Sequence, residues 1–154
     1  AEIREHRLAE TIRKEGLPAF PGVLDLIHAA LKDGGFRLSI ATSATRELSE
    51  AILTAVKVPF ERMAYVSGSD VRKKKPDPQI FLIAIERLDL PASRCVVFED
   101  APSGVQAAKA AGARCVAVTN TVPADQLAGA DLIVASLERV DLDTIRNLVD
   151  AGER

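Results

Sequence analysis

The chain has little with which to build covalent or metal cross-links: two cysteines, Cys95 and Cys115, and two histidines, His6 and His28, in 154 residues. The cysteine spacing matches no zinc-ligand pattern and no disulfide framework, so both thiols are expected to be buried as small hydrophobes in strands. The histidines lie far apart on helical segments and belong to no ligand or base pattern, which makes them surface or packing residues. Charge of one sign is equally scarce. The 20 Lys and Arg stand against 22 Asp and Glu, a net charge of -2, which leaves no bulk electrostatic footprint for a nucleic-acid partner. The one dense basic run, Arg72-Lys73-Lys74-Lys75, fits a solvated loop. No apolar run approaches the length of a membrane span. The first residues, Ala-Glu-Ile-Arg-Glu-His-Arg, hold no apolar segment like that of a signal peptide, so a cytoplasmic location without a membrane partner is the expectation. Internal repeats and low-complexity tracts are absent as well.

What is present is ordinary for one globular domain: 47% hydrophobic and 27% charged residues, in a chain long enough to bury a core. Residues 2 to 14 are charged with sparse apolar positions, which predicts a mostly solvated helix. Val23-Leu24, Leu26-Ile27 and Leu31 recur at helical spacing until Gly34-Gly35. Phe36 to Ala41 reads as a strand closing in Thr42 and Ser43, and Thr45 to Val56 as a helix that Pro59 stops. Met63 to Val66 is a short strand, Pro78 to Leu88 a helix, and Cys95 to Phe98 a strand running into Glu99 and Asp100. Pro102 and Gly104 then open an alanine-rich helix that ends at Gly112. Arg114 to Val118 and Asp131 to Ala135 are further strands, and Asp143 to Val149 a closing helix. Between them, Thr119 to Ala130 is loop-like, with room for one helical turn at Pro123 to Leu127. Strands alternating with helices of this length predict an α/β fold with a mainly parallel sheet covered on both faces.

In such a sheet, ligands sit outside the carboxyl ends of the strands. Taken alone, Glu99 and Asp100 fit two roles equally, capping of the next helix or ligation of a cation. Their neighbours weigh on the choice. Thr42-Ser43 after one strand, Lys75 after the next and Glu99-Asp100 after the third would converge on one edge. Lys75 is the member of its basic run that abuts Pro76, whose ring restricts the preceding backbone. A hydroxyl, an ammonium and two carboxylates are the parts of a phosphate site with a hard cation.

The segments Ile40-Ala41-Thr42-Ser43, Lys75-Pro76-Asp77-Pro78, and Val97-Phe98-Glu99-Asp100 continuing through Ser103-Gly104 to Ala111-Gly112 resemble, in order, the second, third and fourth motifs of the haloacid dehalogenase superfamily. Within it, the similarity is to the phosphoglycolate phosphatase and β-phosphoglucomutase type and extends from about Phe20 to Val149. The resemblance implies a Rossmann-like three-layer core and a Mg²⁺-dependent phosphatase or phosphomutase that works on a small phosphorylated metabolite through a phosphoaspartate. It implies that Thr42, helped by the Ser43 amide, binds the transferring phosphoryl group and that Lys75 bridges phosphate and nucleophile. Asp100 would hold Mg²⁺ directly, and Glu99 would bind it or orient its waters.

The family's first motif, a strand ending in Asp-x-Asp that carries the nucleophile, has no counterpart here. Asp131 and Asp141-Leu142-Asp143 come too late in the order, and the latter opens a helix. Residues 1 to 18 instead resemble the last cap-domain helix and its return linker, and 19 to 154 the core domain without its first strand. In the family that strand lies centrally, between those bearing Thr42 and Glu99-Asp100, so its absence would leave two unpaired edges. The expectation is therefore a piece of a longer enzyme, inactive alone. The alternative is a truncated, non-catalytic domain that binds phosphate or takes a strand from a partner chain. A receiver-type signalling domain is excluded by order, since its acids would precede the Thr and Lys.

Overall fold

The computed structural model describes residues 2–152; Ala1, Glu153 and Arg154, which the expected domain bounds include, lie outside the described residues. In chain order the elements are α1 (Glu2–Glu15), α2 (Val23–Asp33), β1 (Ser39–Ala41), α3 (Arg46–Ala55), β2 (Ala64–Val66), α4 (Gln79–Leu88), β3 (Val96–Glu99), α5 (Pro102–Ala110), β4 (Arg114–Val118), β5 (Leu132–Val134) and α6 (Leu142–Gly152). Single 3₁₀ turns fill several connections, including Ala124–Leu127 in the loop where one helical turn was expected.

All strand pairs are parallel, but the strands form two sheets instead of one. The first is β1-β2, with Ile40 beside Tyr65, and the second is β3-β4-β5, with Phe98 beside Val116 and Ala117 beside Ile133. No pairing joins β1 to β3. This is where the sequence predicts two unpaired edges, and it explains why β1 is shorter than its apolar run: only the Ser39–Ala41 stretch finds a partner, and on one side only. β4 pairs on both sides and is the most deeply covered strand, with Cys115, Val116 and Ala117 all at 0% exposure. Its unbroken apolar run is what a strand buried on both faces requires.

Helix ends follow local chemistry. Gly34 and Gly112 adopt left-handed conformations (φ 78° and 87°) after α2 and α5, where a Cβ would be strained. Thr45 caps α3 by accepting the Leu48 N–H at 3.3 Å. The main core gathers Val66, Ile80, Phe81, Ala84, Val105, Ala108 and Leu127 beneath the strands. A smaller one, Ala9 and Ile12 against Leu48 and Ala51, fastens α1 to α3. So α1 is solvated on one side but docked on the other, through residues too few to fold it alone. Both cysteines are free and buried, and burial pushes the Cys115 thiol up to about 12.

The two late acids have structural jobs. Asp141 opens α6 by accepting the Thr144 N–H and hydroxyl, both at 2.8 Å. Asp131 precedes β5 and ties it to its neighbours, accepting from Lys109 (2.8 Å), Arg114 (3.1 Å) and the Cys115 N–H (2.7 Å). Partial burial would raise the Asp131 carboxyl, yet the Lys109, Cys115 and Arg114 contacts outweigh it and hold the group below its ordinary value of 3.8. A depressed carboxyl stabilises the fold above the unfolded value and loses that contribution as pH falls through the folded one. Asp131→Ala is therefore expected to lower stability by about 1 kcal/mol after allowance for partial solvent access. Urea denaturation should give that difference at pH 7 and a smaller one below pH 3.8; a pH-independent difference would contradict the assignment.

Candidate active site

The carboxyl ends of β1 and β3 and the segment before α4 meet at an open cavity of about 510 Å³. Thr42, Ser43, Lys75, Glu99 and Asp100 all line it, so the convergence expected from strand-end positions is observed. Phe20, Phe98 and Leu137 supply apolar wall.

Thr42 continues β1 and is anchored by its N–H to the Val66 carbonyl at 3.0 Å. Its hydroxyl oxygen accepts the Ala44 N–H at 3.2 Å, which leaves its proton free to donate. The loop is pinned from the side by the end of β2: the Gly68 N–H donates to the Ala44 carbonyl at 2.7 Å, and Ser69 Oγ accepts the Arg46 N–H at 3.1 Å. A Cβ on Gly68 would overlap the Ser43 carbonyl oxygen, so this close approach needs glycine. From the other side Glu5 Oε2, on α1, accepts the Thr45 N–H at 2.9 Å, and hydrogen bonding by Thr45 holds the Glu5 carboxyl below its usual range. With Thr45, Arg46 and Leu48 N–H groups satisfied in this way, the Ser43 N–H is the loop donor without a partner among the described residues.

Lys75 precedes Pro76 through a cis peptide bond. Its ammonium pairs with Glu99 Oε1 and lies 4.9 Å from the centre of the Phe81 ring. The pair is well covered, with side chains 16% and 9% exposed. Glu99 Oε2 also accepts the Asp100 N–H at 3.2 Å, so both its oxygens are engaged. The remaining three of the four run members, Arg72, Lys73 and Lys74, are exposed, as a solvated loop requires.

The two roles open to the acids separate here. α5 begins with Ala101 at its N-cap, Pro102 in the first turn and no side-chain cap, so neither carboxylate caps that helix. Two hard oxygen donors remain at the end of β3. Among the described residues no group of three or more His, Cys, Asp or Glu could hold a metal by protein ligands alone. A pair of carboxylates does fit the habit of Mg²⁺, which takes one or two and fills its shell with water and phosphate oxygens.

Two polar residues at the site escaped the sequence analysis. Asn120 lines the cavity, and Thr121 donates to Asp100 Oδ2 at 2.8 Å. The signal that locates them is the rule that found the others, since both follow the buried run of β4 at its carboxyl end.

Gly104 makes the Glu99 position possible: a Cβ there would overlap the Glu99 carboxyl. Replacing a helical glycine by alanine ordinarily stabilises by about 0.5–1 kcal/mol. Gly104→Ala is expected to reverse that sign and lower stability in urea denaturation, because the side chain must leave Lys75. A stabilised variant would mean that Glu99 is not held there.

Known proteins with the same organisation give these parts a context. The model of the haloacid dehalogenase-like hydrolases matches residues 2–118. The validoxylamine A 7'-phosphate phosphatase of Streptomyces hygroscopicus subsp. limoneus is 35% identical over 138 residues, 86% of this chain and 64% of that protein. The CbbY protein of Rhodobacter capsulatus is 36% identical over 146 residues, 92% of this chain and 61% of that protein. In structure, a CbbY variant from Rhodobacter sphaeroides in complex with xylulose-1,5-bisphosphate superposes with a TM-score of 0.85 at 32% identity, over 92% of this chain and 65% of that one. The chain thus spans less than two thirds of the length of each of these relatives.

Proposed function

Because this chain belongs to the haloacid dehalogenase-like hydrolases, we propose that it is the larger part of a Mg²⁺-dependent phosphatase or phosphomutase core that acts on a small phosphorylated metabolite. The observation that carries the proposal is the meeting of Thr42, Ser43, Lys75, Glu99 and Asp100 at one cavity. Relatives named for a phosphate phosphatase and solved with a sugar bisphosphate support the substrate class.

The Thr42 hydroxyl and the Ser43 N–H donate to phosphoryl oxygens, and Lys75 neutralises the charge that develops there. Asp100 would hold a magnesium ion directly, and Glu99 would bind it or orient its waters; the chemistry such an ion would supply is screening of the phosphate charge. Lys75 is shared between Glu99 and the incoming phosphate, so phosphate binding competes with the ion pair. The attacking aspartate, which would form the phosphoaspartate, belongs to a strand that this sequence does not contain. The gap between β1 and β3 supports this reading. So does the position of α1 against α3, which suits residues 1–18 as the return from a cap and 19–154 as the core. Two free buried thiols suit a reducing compartment such as the cytoplasm.

As the 154-residue chain, the protein is expected to bind inorganic phosphate in the presence of Mg²⁺ but to leave p-nitrophenyl phosphate unhydrolysed. Lys75→Ala should weaken phosphate binding by roughly ten- to a hundredfold, the worth of a hydrogen bond to a charged group. Calorimetric titration would detect this, and unchanged affinity would sink the phosphate site. Mg²⁺-dependent hydrolysis lost in Asp100→Ala would contradict the inactivity.

The same open edges favour a second reading, a non-catalytic domain that takes a strand from a partner chain. Size-exclusion with light scattering separates the two: strand donation between copies gives an oligomer, and a stable monomer argues against it.

A further inference from the structure

The carboxyl end of β4 contributes a contact that the roles above do not use. Glu99 lies beside Ala117 in the β3–β4 register, and beyond Val118 the chain turns at Thr119-Asn120. That turn brings Thr121 to the end of β3, where its hydroxyl donates to Asp100 Oδ2 at 2.8 Å. Oδ1 receives no hydrogen bond among the described residues.

The contrast with Glu99 gives this contact its meaning. Both Glu99 oxygens are engaged, one by the Lys75 ammonium and one by the Asp100 N–H. Asp100 is therefore the acid with an unencumbered oxygen, and among the described residues its carboxylate accepts from a neutral group, the Thr121 hydroxyl. A hydroxyl that donates to one carboxylate oxygen fixes the rotation of the group without adding a positive charge that would repel a cation. Outer partners of this kind orient metal-binding carboxylates, and their loss commonly weakens metal binding tenfold or more.

We propose that Thr121 is the positioning residue of Asp100: its hydroxyl holds Oδ2 and thereby presents Oδ1 as the donor to a divalent cation. This rests on Asp100 being the metal ligand. The role falls to the turn after β4 because β4 is the strand beside β3, so the chain leaving it passes the carboxylate at the end of β3.

The test is a titration of the 154-residue chain with Mn²⁺ in the presence of inorganic phosphate, with free Mn²⁺ followed by electron paramagnetic resonance. Wild type, Thr121→Val, Thr121→Ser and Asp100→Asn are compared, each with its thermal midpoint. Thr121→Val removes the donor at nearly constant volume and is expected to weaken Mn²⁺ binding about tenfold with little change in midpoint, while Thr121→Ser keeps wild-type affinity. Asp100→Asn should abolish binding. Wild-type affinity in Thr121→Val alongside loss in Asp100→Asn would overturn the positioning role and leave Asp100 as ligand. A loss in Thr121→Val that Thr121→Ser fails to restore would assign the effect to packing and likewise overturn it. Undiminished binding by Asp100→Asn, or none by the wild type, would overturn the ligand assignment and this inference with it.

Discussion

The ion pair between Lys75 and Glu99 is the interaction on which the site depends, because it spans the gap between the two sheets. Glu99 ends β3 of one sheet, and Lys75 stands in the segment that leads from β2 of the other into α4. Side chains only 16% and 9% exposed make it a covered pair. Such a pair is screened less than an exposed one, so each partner depends more on the other. The surroundings are shaped to hold it. Gly104 leaves room for the carboxyl, the Asp100 N–H binds its second oxygen, and Phe81 lies under the ammonium.

The break in the sheet is the companion constraint. Parallel sheets are stable when every strand has neighbours and both faces are covered. β4 meets both conditions and is buried throughout its middle, whereas β1 and β3 each lack a partner on the side facing the other. Their residues are correspondingly less covered: Ile40 is half-buried and Phe98 exposed, although both belong to strongly apolar runs. The same gap opens the cavity towards Phe20 and Leu137, so the incompleteness of the sheet and the openness of the site have one origin.

Much of this was legible in the amino-acid order. The periodicity of Leu48, Ile52 and Leu53 with Thr45 ahead of them marks α3 nearly to the residue, and the run Arg114–Val118 is β4 as observed. Thr42, Ser43, Glu99 and Asp100 were identifiable because they follow apolar runs, and Lys75 because it precedes a restricting proline. β1 was overextended, since the run from Phe36 is apolar enough for a strand but only its last three residues find a partner. Asn120 and Thr121 also follow an apolar strand, but the loop of small polar residues that holds them carries no periodic signal of its own. Only its return towards β3 gives it a role.

What the sequence by itself determined is local: where helices start and stop, which runs are apolar enough for strands, and which polar residues sit at strand ends. Tertiary structure decided against the capping role of the acids, because whether a carboxylate caps a helix depends on how α5 leaves β3, and here Ala101 takes the cap position. It also decided that Glu99 is occupied by Lys75 while Asp100 keeps one oxygen free, and that Thr121 is its partner. The reason is one of range. Burial periodicity and capping act within a few residues, but the choice of partner for each strand end is set by strand order, which brings together residues 21 to 24 positions apart in sequence.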